Sequence, residues 1–445
     1  MSVPTLKQLP MLQRLNWISN PVDYMEKAVK QQPDIFAADI LGGNQRLIFV
    51  NQPQAIQKIL TSDRREFLAE GEANAILKPV LGDSSIIMID GNQHKQRRKL
   101  LMPSFHGERI QVYGQLIVDL TKQSLDKIPA QQPFIARQVT QEISLQVILQ
   151  AIYGLYEGKK SQDIKQALSS LSEVFRSALS SSFLFFTWLQ KDFGAWSPWG
   201  SFIRLREKID KLLYEEIAKR RSTAGDDRQD ILSLLMLAKD ENGAGMNDVE
   251  LRDELMTLMF AGHETTATAL AWALYWIHRQ PRVYEKLQAE LATLEEKPNP
   301  LEIARLPYLT AVCQETLRIY PVGMLTFPRI VKEPIEILGY KLEPQDVLVG
   351  CIYLAHHRED IYPQSKEFKP ERFLNKQYSP YEFLTFGGGS RRCLGEALAQ
   401  LELKLVIATI LSNYQLKLVS QTPELPRRRG VTLAPSTGVK MRKCK

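Results

Sequence analysis

The sequence predicts a mainly α-helical protein with a minor β portion. Helical periodicity dominates the chain from about Gln111 to His278. Within that region, Leu255 to Ile277 is apolar on nearly every side, which is typical of a helix buried in the protein centre. Farther on, Ile330 to Gly350 alternates and turns in the manner of small antiparallel strands. We therefore expect helices packed around one buried helix, with small sheets beside them.

Composition indicates an ordinary globular protein. The chain has 445 residues, 44% hydrophobic and 24% charged, so it can build a large solvated core, and disorder is excluded. Length alone would suggest about three domains. The sequence contains no repeat, low-complexity block or flexible linker, however. We predict one domain over residues 1–445, in which a β-rich N-terminal portion and a larger helical portion are not independent.

Neither export nor membrane insertion is indicated. The first 21 residues lack an apolar run of signal-peptide length and contain prolines and basic residues. The longest apolar stretch carries His263 and Glu264 at its centre, which hydrocarbon would penalise. We predict a soluble, cytoplasmic protein without a transmembrane anchor.

Cysteine count and charge exclude several classes of protein. Four scattered cysteines are too few for a disulfide framework or a zinc ribbon, and this fits a reducing compartment. The net charge of +7 is spread along the chain without a nucleic-acid-binding motif, so we predict no nucleic-acid partner. An acidic protein partner is the better match for such a charge.

Local signals place the individual elements. A short strand is predicted from Leu47 to Asn51. The buried helix is predicted from Asn247 to His278, because Asn247 and Glu250 resemble a capping box and Pro281 lies beyond the end. A second helix is predicted after Cys393, where leucines recur at helical spacing: Leu394, Leu398, Leu401 and Leu405.

The segment FGGGSRRCLG, residues 386–395, stands directly before that second helix. Three glycines allow a tight backbone turn, and amides of the turn and of the helix N-terminus can hydrogen-bond a thiolate, which is a good iron ligand. Two other interpretations exist, an inert buried cysteine and a phosphate-binding loop. The second fails because no Lys-Ser or Lys-Thr follows the glycines.

The pattern F-x-x-G-x-R-x-C-x-G resembles the haem-binding signature of the cytochrome P-450 monooxygenases. The resemblance covers about residues 33–439, with its motifs in the expected order. It implies haem b as cofactor, Cys393 as the sulfur ligand to its iron, and O2 as co-substrate. Phe386, Arg391 and Gly395 would also contact the cofactor, with Arg391 reaching a propionate.

The segment AGHETT, residues 261–266, puts polar groups in the middle of the buried helix, where they are costly unless they serve a purpose. Gly262 and Thr265 could open a groove for dioxygen, and Glu264 could relay protons inward. The alternative is a kink whose Glu264 reaches solvent. In the family this motif activates oxygen, so the resemblance makes Glu264 and Thr265 catalytic and puts Ala261 against the cofactor.

Two further motifs gain meaning from the resemblance. Glu315 and Arg318 share one helix face, and such a pair is often only a surface contact. With Arg372, however, they match the family's buried Glu-Arg-Arg triad, which locks the loop that carries the cysteine. Haem carboxylates also need anchors, and the residues that match those of the family are His94, Arg98 and Arg329. His94 could instead be a surface histidine.

The pocket walls are predicted from the loop 67–90, the aromatic segment 175–199, the central helix and the turn 322–326. The aromatic segment is either core or a mobile hydrophobic lid. The substrate-binding residues predicted in these walls are Phe175, Phe183, Thr257, Phe260, Met324 and Leu325.

The resemblance implies hydroxylation of a C–H bond with electrons from a separate ferredoxin-type donor and its reductase. The motifs are most similar to those of the retinoic-acid-hydroxylating branch, and a soluble cyanobacterial member is the expected kind. We therefore expect a monomer that acts on a retinoid such as retinoic acid.

Other functions stay open at this point. The substrate could be a fatty acid or a sterol-like lipid. The protein could also be a haem-thiolate isomerase or dehydratase that needs no reductant, or a haem-based sensor. Basic residues expected near the thiolate could steer an acidic ferredoxin: Arg97, Lys99 and Arg392.

Overall fold

The structure is a computed structural model. It describes residues 1–40, 46–62, 65–69, 71–105, 107–154, 159–174, 189–223, 230–241 and 243–444.

Helices make up most of the described chain, and several begin at a proline, whose fixed φ and missing N–H suit the first turn. Their bounds are α1 Pro10–Ser19, α2 Pro21–Gln31, α3 Pro53–Thr61, α4 Lys78–Leu81, α5 Gly91–Leu101, α6 Glu108–Asp126, α7 Ala136–Tyr153, α8 Lys159–Val174, α9 Pro198–Ser222, α10 Ile231–Leu237, α11 Asp248–Arg279, α12 Pro281–Leu291, α13 Pro300–Ala304, α14 Pro307–Ile319, α15 Ile352–Ala355, α16 Arg372–Asn375 and α17 Glu396–Asn413.

The strands are short. Their bounds are β1 Ile35–Ala38, β2 Leu47–Val50, β3 Phe67–Leu68, β4 Pro133–Ile135, β5 Arg329–Val331, β6 Ile335–Ile337, β7 Tyr340–Leu342, β8 Val347–Gly350, β9 Leu416–Leu418, β10 Pro426–Arg429, β11 Thr432–Pro435 and β12 Lys440–Lys443.

The strands form one five-stranded sheet, in the order β1-β2-β8-β5-β3, and smaller sheets β6-β7, β10-β11 and β4-β12-β9. The antiparallel strands predicted between residues 330 and 350 are confirmed as β5 to β8. One pairing differs from that expectation, because β8 runs parallel to β2, with Leu47 opposite Val347. Both strands are buried along their whole length, as parallel strands usually are.

The buried helix α11 organises the fold. The predicted capping box is present: the Asn247 side chain accepts the Glu250 amide at 3.0 Å, and the Glu250 carboxylate accepts the Asn247 amide at 2.9 Å. Most residues of α11 are buried, and α7, α9, α14 and α17 pack against it. Trp272, fully buried, donates its indole N–H to the Leu433 carbonyl at 2.9 Å. The mainly helical architecture with small sheets is therefore confirmed.

The largest hydrophobic core draws residues from Leu77 to Met441, while two smaller clusters cover the five-stranded sheet. Along the described ranges, every helix is too short or too polar to cross a lipid bilayer.

Candidate active site

Cys393 lies between a 3-10 turn, Gly389–Arg391, and the N-terminus of α17. Its amide donates to the Phe386 carbonyl at 2.9 Å, which closes the loop. Gly387 and Gly389 have φ values of 70° and 65°, a region that favours glycine. A Cβ at Gly389 would come within 2.0 Å of the Leu60 carbonyl oxygen, so this glycine also allows the loop to approach α3.

The sulfur of Cys393 differs from the other central cysteines. Cys313 and Cys351 are buried, whereas the Cys393 side chain is exposed. Burial nevertheless raises the pKa of Cys393 to about 11, opposed by a hydrogen bond from the Gly395 amide. A thiol that lies deep in the protein and still has accessible surface faces an interior cleft. The thiol ionises when a metal ion binds it, because coordination displaces the proton.

The centre of α11 also faces such a cleft. Ala261 is exposed and Thr265 is partly exposed, although most residues of α11 around them are buried. The Thr265 hydroxyl donates to the Ala261 carbonyl at 2.6 Å. Because α11 packs against α17, which follows Cys393 directly, the accessible sulfur and this accessible helix face belong to adjoining elements.

Gly262 lies against α7. A Cβ at this position would lie 2.9 Å from Cδ1 of Ile148 on α7. The glycine therefore allows close packing between α11 and α7, while the predicted dioxygen groove stays a prediction. The helix continues without interruption through this segment.

Glu264 is held by α7. Its Oε1 pairs with Arg137, and its Oε2 accepts a hydrogen bond from Gln141 Nε2 at 2.7 Å. The Glu264 side chain is 23% exposed, so it contacts both solvent and α7. Arg137 and Gln141 were missed by the sequence reasoning, because no sequence signal links residues more than 120 positions apart.

Arg391 ties the cysteine loop to Ala69 and to the segment between α4 and α5. Its guanidinium donates to the carbonyls of Ile86 at 2.6 Å, Ala69 at 2.8 Å and Ile89 at 2.7 Å, and it pairs with Asp90 at 3.2 Å. The predicted propionate contact is a separate matter and stays a prediction.

The other predicted anchors are spread over two elements. His94, on α5, is only 4% exposed, which excludes the surface alternative. Arg98, one turn later, donates to the Arg392 carbonyl at 2.6 Å. Burial lowers the pKa of Arg98, the nearby Cys393 opposes this change, and Arg392 adds to it. Arg329 is fully buried at the start of β5.

Glu315, Arg318 and Arg372 do come together. Arg318 pairs with both oxygens of Glu315 at 2.6 and 2.8 Å, and Arg372 Nε reaches Glu315 Oε1 at 3.1 Å. Arg318 also donates to the carbonyls of His356 and Ser365 at 2.8 and 2.9 Å. Glu315 and Arg318 are fully buried, so this cluster is part of the core and not a surface pair.

His356 joins this cluster to the chain that leads to Cys393. Its Nε2 accepts the Leu384 amide at 2.8 Å, and its Nδ1 lies 3.2 Å from the Arg318 carbonyl. Burial and then the Arg318 cation lower the pKa of His356 to about 3, so the ring is neutral with its proton on Nδ1. The sequence reasoning assigned no role to this histidine.

The predicted docking role of Arg97 is wrong. Arg97 is buried and pairs with Glu254 at 2.7 Å and Glu250 at 2.6 Å, which ties α5 to α11. The other two basic residues reach the surface: Lys99 pairs with Glu241 at 3.0 Å and Arg392 with Glu396 at 2.6 Å.

The predicted substrate residues divide into three groups. Phe175 and Phe183 lie outside the described residues. Thr257 is buried, and its hydroxyl bonds Ser85 and the Asp253 carbonyl, while Met324 is buried in the core beside the five-stranded sheet. Both side chains are therefore engaged in packing or hydrogen bonds within the fold, and their predicted contact with substrate stays a prediction. Phe260 and Leu325 keep accessible surface.

An accessible cysteine in an interior cleft, with an amide donor to its sulfur and a long buried helix packed beside it, fits a haem-thiolate protein. Gly395 has open space at its Cα, and Ala261 offers only a methyl group, so neither would obstruct a flat cofactor.

Comparison with known proteins identifies the family. Residues 3–441 match the family model of cytochrome P450. The putative cytochrome P450 135B1 of Mycobacterium tuberculosis is 33% identical over 424 residues, covering 94% of this chain and 86% of the relative. The putative cytochrome P450 138 of Mycobacterium bovis is 28% identical, covering 98% of this chain and 94% of the relative. The chain therefore belongs to the cytochrome P450 family.

Two solved structures share the fold. The retinoic acid-bound cyanobacterial CYP120A1 has a TM-score of 0.86 at 23% identity, covering 99% of this chain and 98% of that one. The haem domain of cytochrome P450DA has a TM-score of 0.86 at 21% identity, covering 100% of this chain and 97% of that one. At such identities the likeness concerns the fold alone.

Family membership makes the chain a monooxygenase, and hence an oxidoreductase, that holds haem b through a cysteine thiolate and uses O2 as co-substrate. These predictions are confirmed, as is the general need for an electron donor and an apolar substrate. When bound, the haem supplies the iron at which dioxygen is activated for insertion into a C–H bond.

Proposed function

We propose that the protein hydroxylates a retinoid such as retinoic acid, with electrons from a ferredoxin-type donor and its reductase. The observation that carries this proposal is the accessible face of α11 at Ala261 and Thr265, beside the partly exposed Phe260, in a protein with an accessible Cys393. The retinoid is supported by the motifs quoted above and by the shared fold with a retinoic acid-bound protein. Fatty acids and sterol-like lipids are the alternative substrates.

Glu264 and Thr265 are proposed to deliver protons. Thr265 has its hydroxyl at the accessible helix face and can turn from the Ala261 carbonyl towards a ligand in the cleft. Glu264, the preceding residue, keeps contact with solvent while Arg137 and Gln141 fix its carboxylate. A carboxylic acid and a hydroxyl in this order can pass a proton from the surface to the cleft.

We further propose that cationic and histidine side chains bind the haem carboxylates, and that small or flat residues contact its ring. The first set is His94, Arg98, Arg329 and Arg391. The second set is Ala261, Phe386 and Gly395. For Arg98 the support is its electrostatic coupling to Cys393, and for Arg329 it is a buried cation that suits an anionic ligand.

The single-domain organisation over residues 1–445, the monomeric state and the cytoplasmic location remain part of the proposal. One domain is supported by the main core, which joins residues from Leu77 to Met441, and by the β2–β8 pairing across some 300 positions.

Reduction by an acidic donor is proposed to use Lys99 and Arg392, without Arg97. Stopped-flow reduction of Lys99→Glu protein by a ferredoxin at low ionic strength should be slower than that of the wild type, and salt should reduce the difference. An unchanged rate would contradict this docking site.

One set of measurements tests the whole proposal. The reduced holoprotein is examined by its carbon monoxide difference spectrum, then incubated with retinoic acid, a ferredoxin, its reductase and NADPH, with Cys393→Ser protein as control. A thiolate-type band together with a hydroxylated retinoid supports the proposal. A thiolate-type band with oxidation of fatty acids only would replace the substrate, and turnover without reductant would favour an isomerase or dehydratase.

A further inference from the structure

An aromatic cluster on and beside α11 has no part in the chemistry described so far. Its members are Trp272, Tyr275, Trp276, Tyr320 and Phe368. Trp272 is fully buried, and its ring centroid lies 4.4 Å from that of Tyr320, the residue that directly follows α14. Indole and phenol rings give up an electron more easily than a benzene ring does. Contact between them therefore provides a route for single electrons.

The route begins on the helix face that also carries Thr265. Trp272 follows Thr265 by seven residues, about two helical turns and about 10 Å along the axis, so both lie on nearly the same face of α11. The Trp272 indole N–H is bound by the Leu433 carbonyl, and the Leu433 amide donates to the Val322 carbonyl at 2.9 Å. Trp272 is therefore linked to the turn 322–326, which the sequence places in the pocket wall.

The route continues through Tyr320 to Tyr353. Tyr320 packs against the main core, which contains Trp272, and also against the cluster beside the five-stranded sheet, which contains Tyr353. Burial, then Tyr275 and Glu26, raise the pKa of Tyr320 to about 12. Burial and then Glu26 also raise the pKa of Tyr353, and Tyr320 adds to that change. Because one carboxylate acts on both phenols, both lie near Glu26.

Tyr353 has a proton acceptor at the protein surface. Its hydroxyl donates to Glu26 Oε1 at 2.5 Å, and Lys366 donates to the same hydroxyl at 3.0 Å and pairs with Glu26. The side chains of Glu26 and Lys366 are 37% and 55% exposed, whereas Tyr353 is buried. A tyrosine that loses an electron also loses its phenol proton, because the radical cation is a strong acid. Glu26 is placed to accept that proton.

Packing alone does not explain the choice of rings. Trp276 stacks on Phe368 with ring centroids 5.0 Å apart, so a benzene ring packs well in the same cluster. The phenol of Tyr275 has a different environment from that of Tyr353, since it accepts the Glu424 amide at 3.3 Å. Tyr353 thus combines contact with the aromatic rings and a carboxylate that takes its proton.

We propose that Trp272, Tyr320 and Tyr353 carry oxidising equivalents from the haem site to the protein surface when no substrate is bound. Hydrogen peroxide is the oxidant, and a thiol in solution is the final reductant. In each step one electron passes from Tyr353 through Tyr320 and Trp272 to the haem site, and the phenol proton passes to Glu26 and on to solvent.

The thiol then returns a hydrogen atom to the Tyr353 radical. Two such steps, with two protons taken up at the haem site, reduce one peroxide to two waters, and two thiols become one disulfide. The path depends on the haem that family membership supplies, and it is independent of the retinoid and of the ferredoxin.

Hydrogen peroxide added to the substrate-free ferric holoprotein tests the path. Freeze-quench electron paramagnetic resonance should show a tyrosyl radical in the wild type, and Tyr353→Phe should lose that signal. Glu26→Gln, which removes the proton acceptor, should weaken it. Trp272→Phe should lose its haem absorbance several-fold faster than the wild type, because the oxidising equivalent then stays at the haem site.

The matched control is Tyr308→Phe. Tyr308 has surroundings like those of Tyr353, since its hydroxyl donates to Glu371 at 3.4 Å and Lys286 lies 5.4 Å from its ring, but it does not belong to the aromatic cluster. This variant should keep both the radical signal and the wild-type rate of haem loss.

Three results would overturn the proposal: no tyrosyl signal in the wild type, a signal that survives unchanged in Tyr353→Phe, or equal haem loss in the wild type and Trp272→Phe. Circular dichroism and the carbon monoxide spectrum establish that each variant is folded and holds its haem. Should Trp272→Phe fail that check, Tyr353→Phe and Glu26→Gln decide the matter, because they change a single hydroxyl and a surface carboxylate.

Discussion

Helices α14 and α17 pack against each other, and each carries a buried glutamate. Glu315 on α14 is surrounded by cations, whereas Glu402 on α17 is not. Both oxygens of Glu315 are bound by Arg318, and Arg372 adds a third contact. Glu402 has no cation beside it among the causes that shift its pKa, and its Oε1 lacks a hydrogen-bond partner within the described chain. Burial therefore raises the pKa of Glu402 to about 8, and the Ser144 side chain opposes the change.

Glu254 on α11 is intermediate between the two. One oxygen pairs with Arg97 at 2.7 Å, and the other has no partner in the part of the chain that the structure describes. Burial raises the pKa of Glu254 to about 7, although Arg97 opposes the change. Burial raises the pKa of both Glu254 and Glu402, and of the two only Glu254 has a cation that opposes the rise.

The largest effect is expected for Glu315→Ala. It leaves Arg318 buried without its anion, so the free energy of unfolding should fall by about 3–5 kcal/mol. Urea denaturation and the yield of haem-containing protein measure this loss. Glu333→Gln, which changes an exposed carboxylate, is the control and should leave both unchanged. A loss below about 1 kcal/mol would mean that the cluster is not a major determinant of stability.

The next effect is expected for Arg97→Gln, which removes the cation that Glu250 and Glu254 share. Since both Glu254 oxygens then lack a charged partner, stability should fall by about 2–3 kcal/mol at neutral pH, and by less in acid, where Glu254 is protonated. Urea denaturation at the two pH values measures the difference. Lys99→Gln removes only an exposed pair and should cost less than about 1 kcal/mol.

Glu402→Gln should have the opposite sign. The folded-state pKa of Glu402 lies above its usual value, so its favourable contribution is complete below about pH 4.5 and is lost as pH rises through about pH 8. The variant should therefore be more stable than the wild type at pH 8 by about 2–4 kcal/mol, with a flatter dependence of Tm on pH. Parallel pH profiles for the two proteins would show that Glu402 titrates normally.

The smallest effect on stability is expected for His356→Leu. It removes the acceptor of the Leu384 amide and should cost about 1–2 kcal/mol. Because this bond connects the Glu315 cluster to the cysteine loop, the thiolate-type fraction of the carbon monoxide spectrum should also fall. His356→Gln, which retains an acceptor, should restore part of that fraction. A stability loss without any spectral change would confine His356 to packing.

Much of the fold could be predicted from local signals. The capping box at Asn247 and Pro281 beyond the other end bound α11 correctly to within a residue, because both signals act on neighbouring backbone groups. The glycine-rich segment before Cys393 likewise predicted a tight turn, and Gly389 shows why no side chain fits there. The Glu315 cluster was found only because its motif resembled that of a known family.

Other residues could not be predicted because their roles depend on contacts across the fold. Arginine is usually found at the protein surface. Arg97 is nevertheless buried, because it pairs with two carboxylates of α11. Met324 packs in the core beside the five-stranded sheet, and the Thr257 hydroxyl bonds that of Ser85, contacts that no local pattern indicates.

The amino-acid sequence by itself determined the cysteine turn, the long apolar helix and the family. Short-range backbone preferences and motif spacing can be read from neighbouring residues and do not depend on contacts between distant parts of the chain. Only the tertiary structure decided which charges are buried in pairs and that Arg137 holds Glu264. Each of those outcomes depends on groups far apart in sequence that folding brings within hydrogen-bond distance.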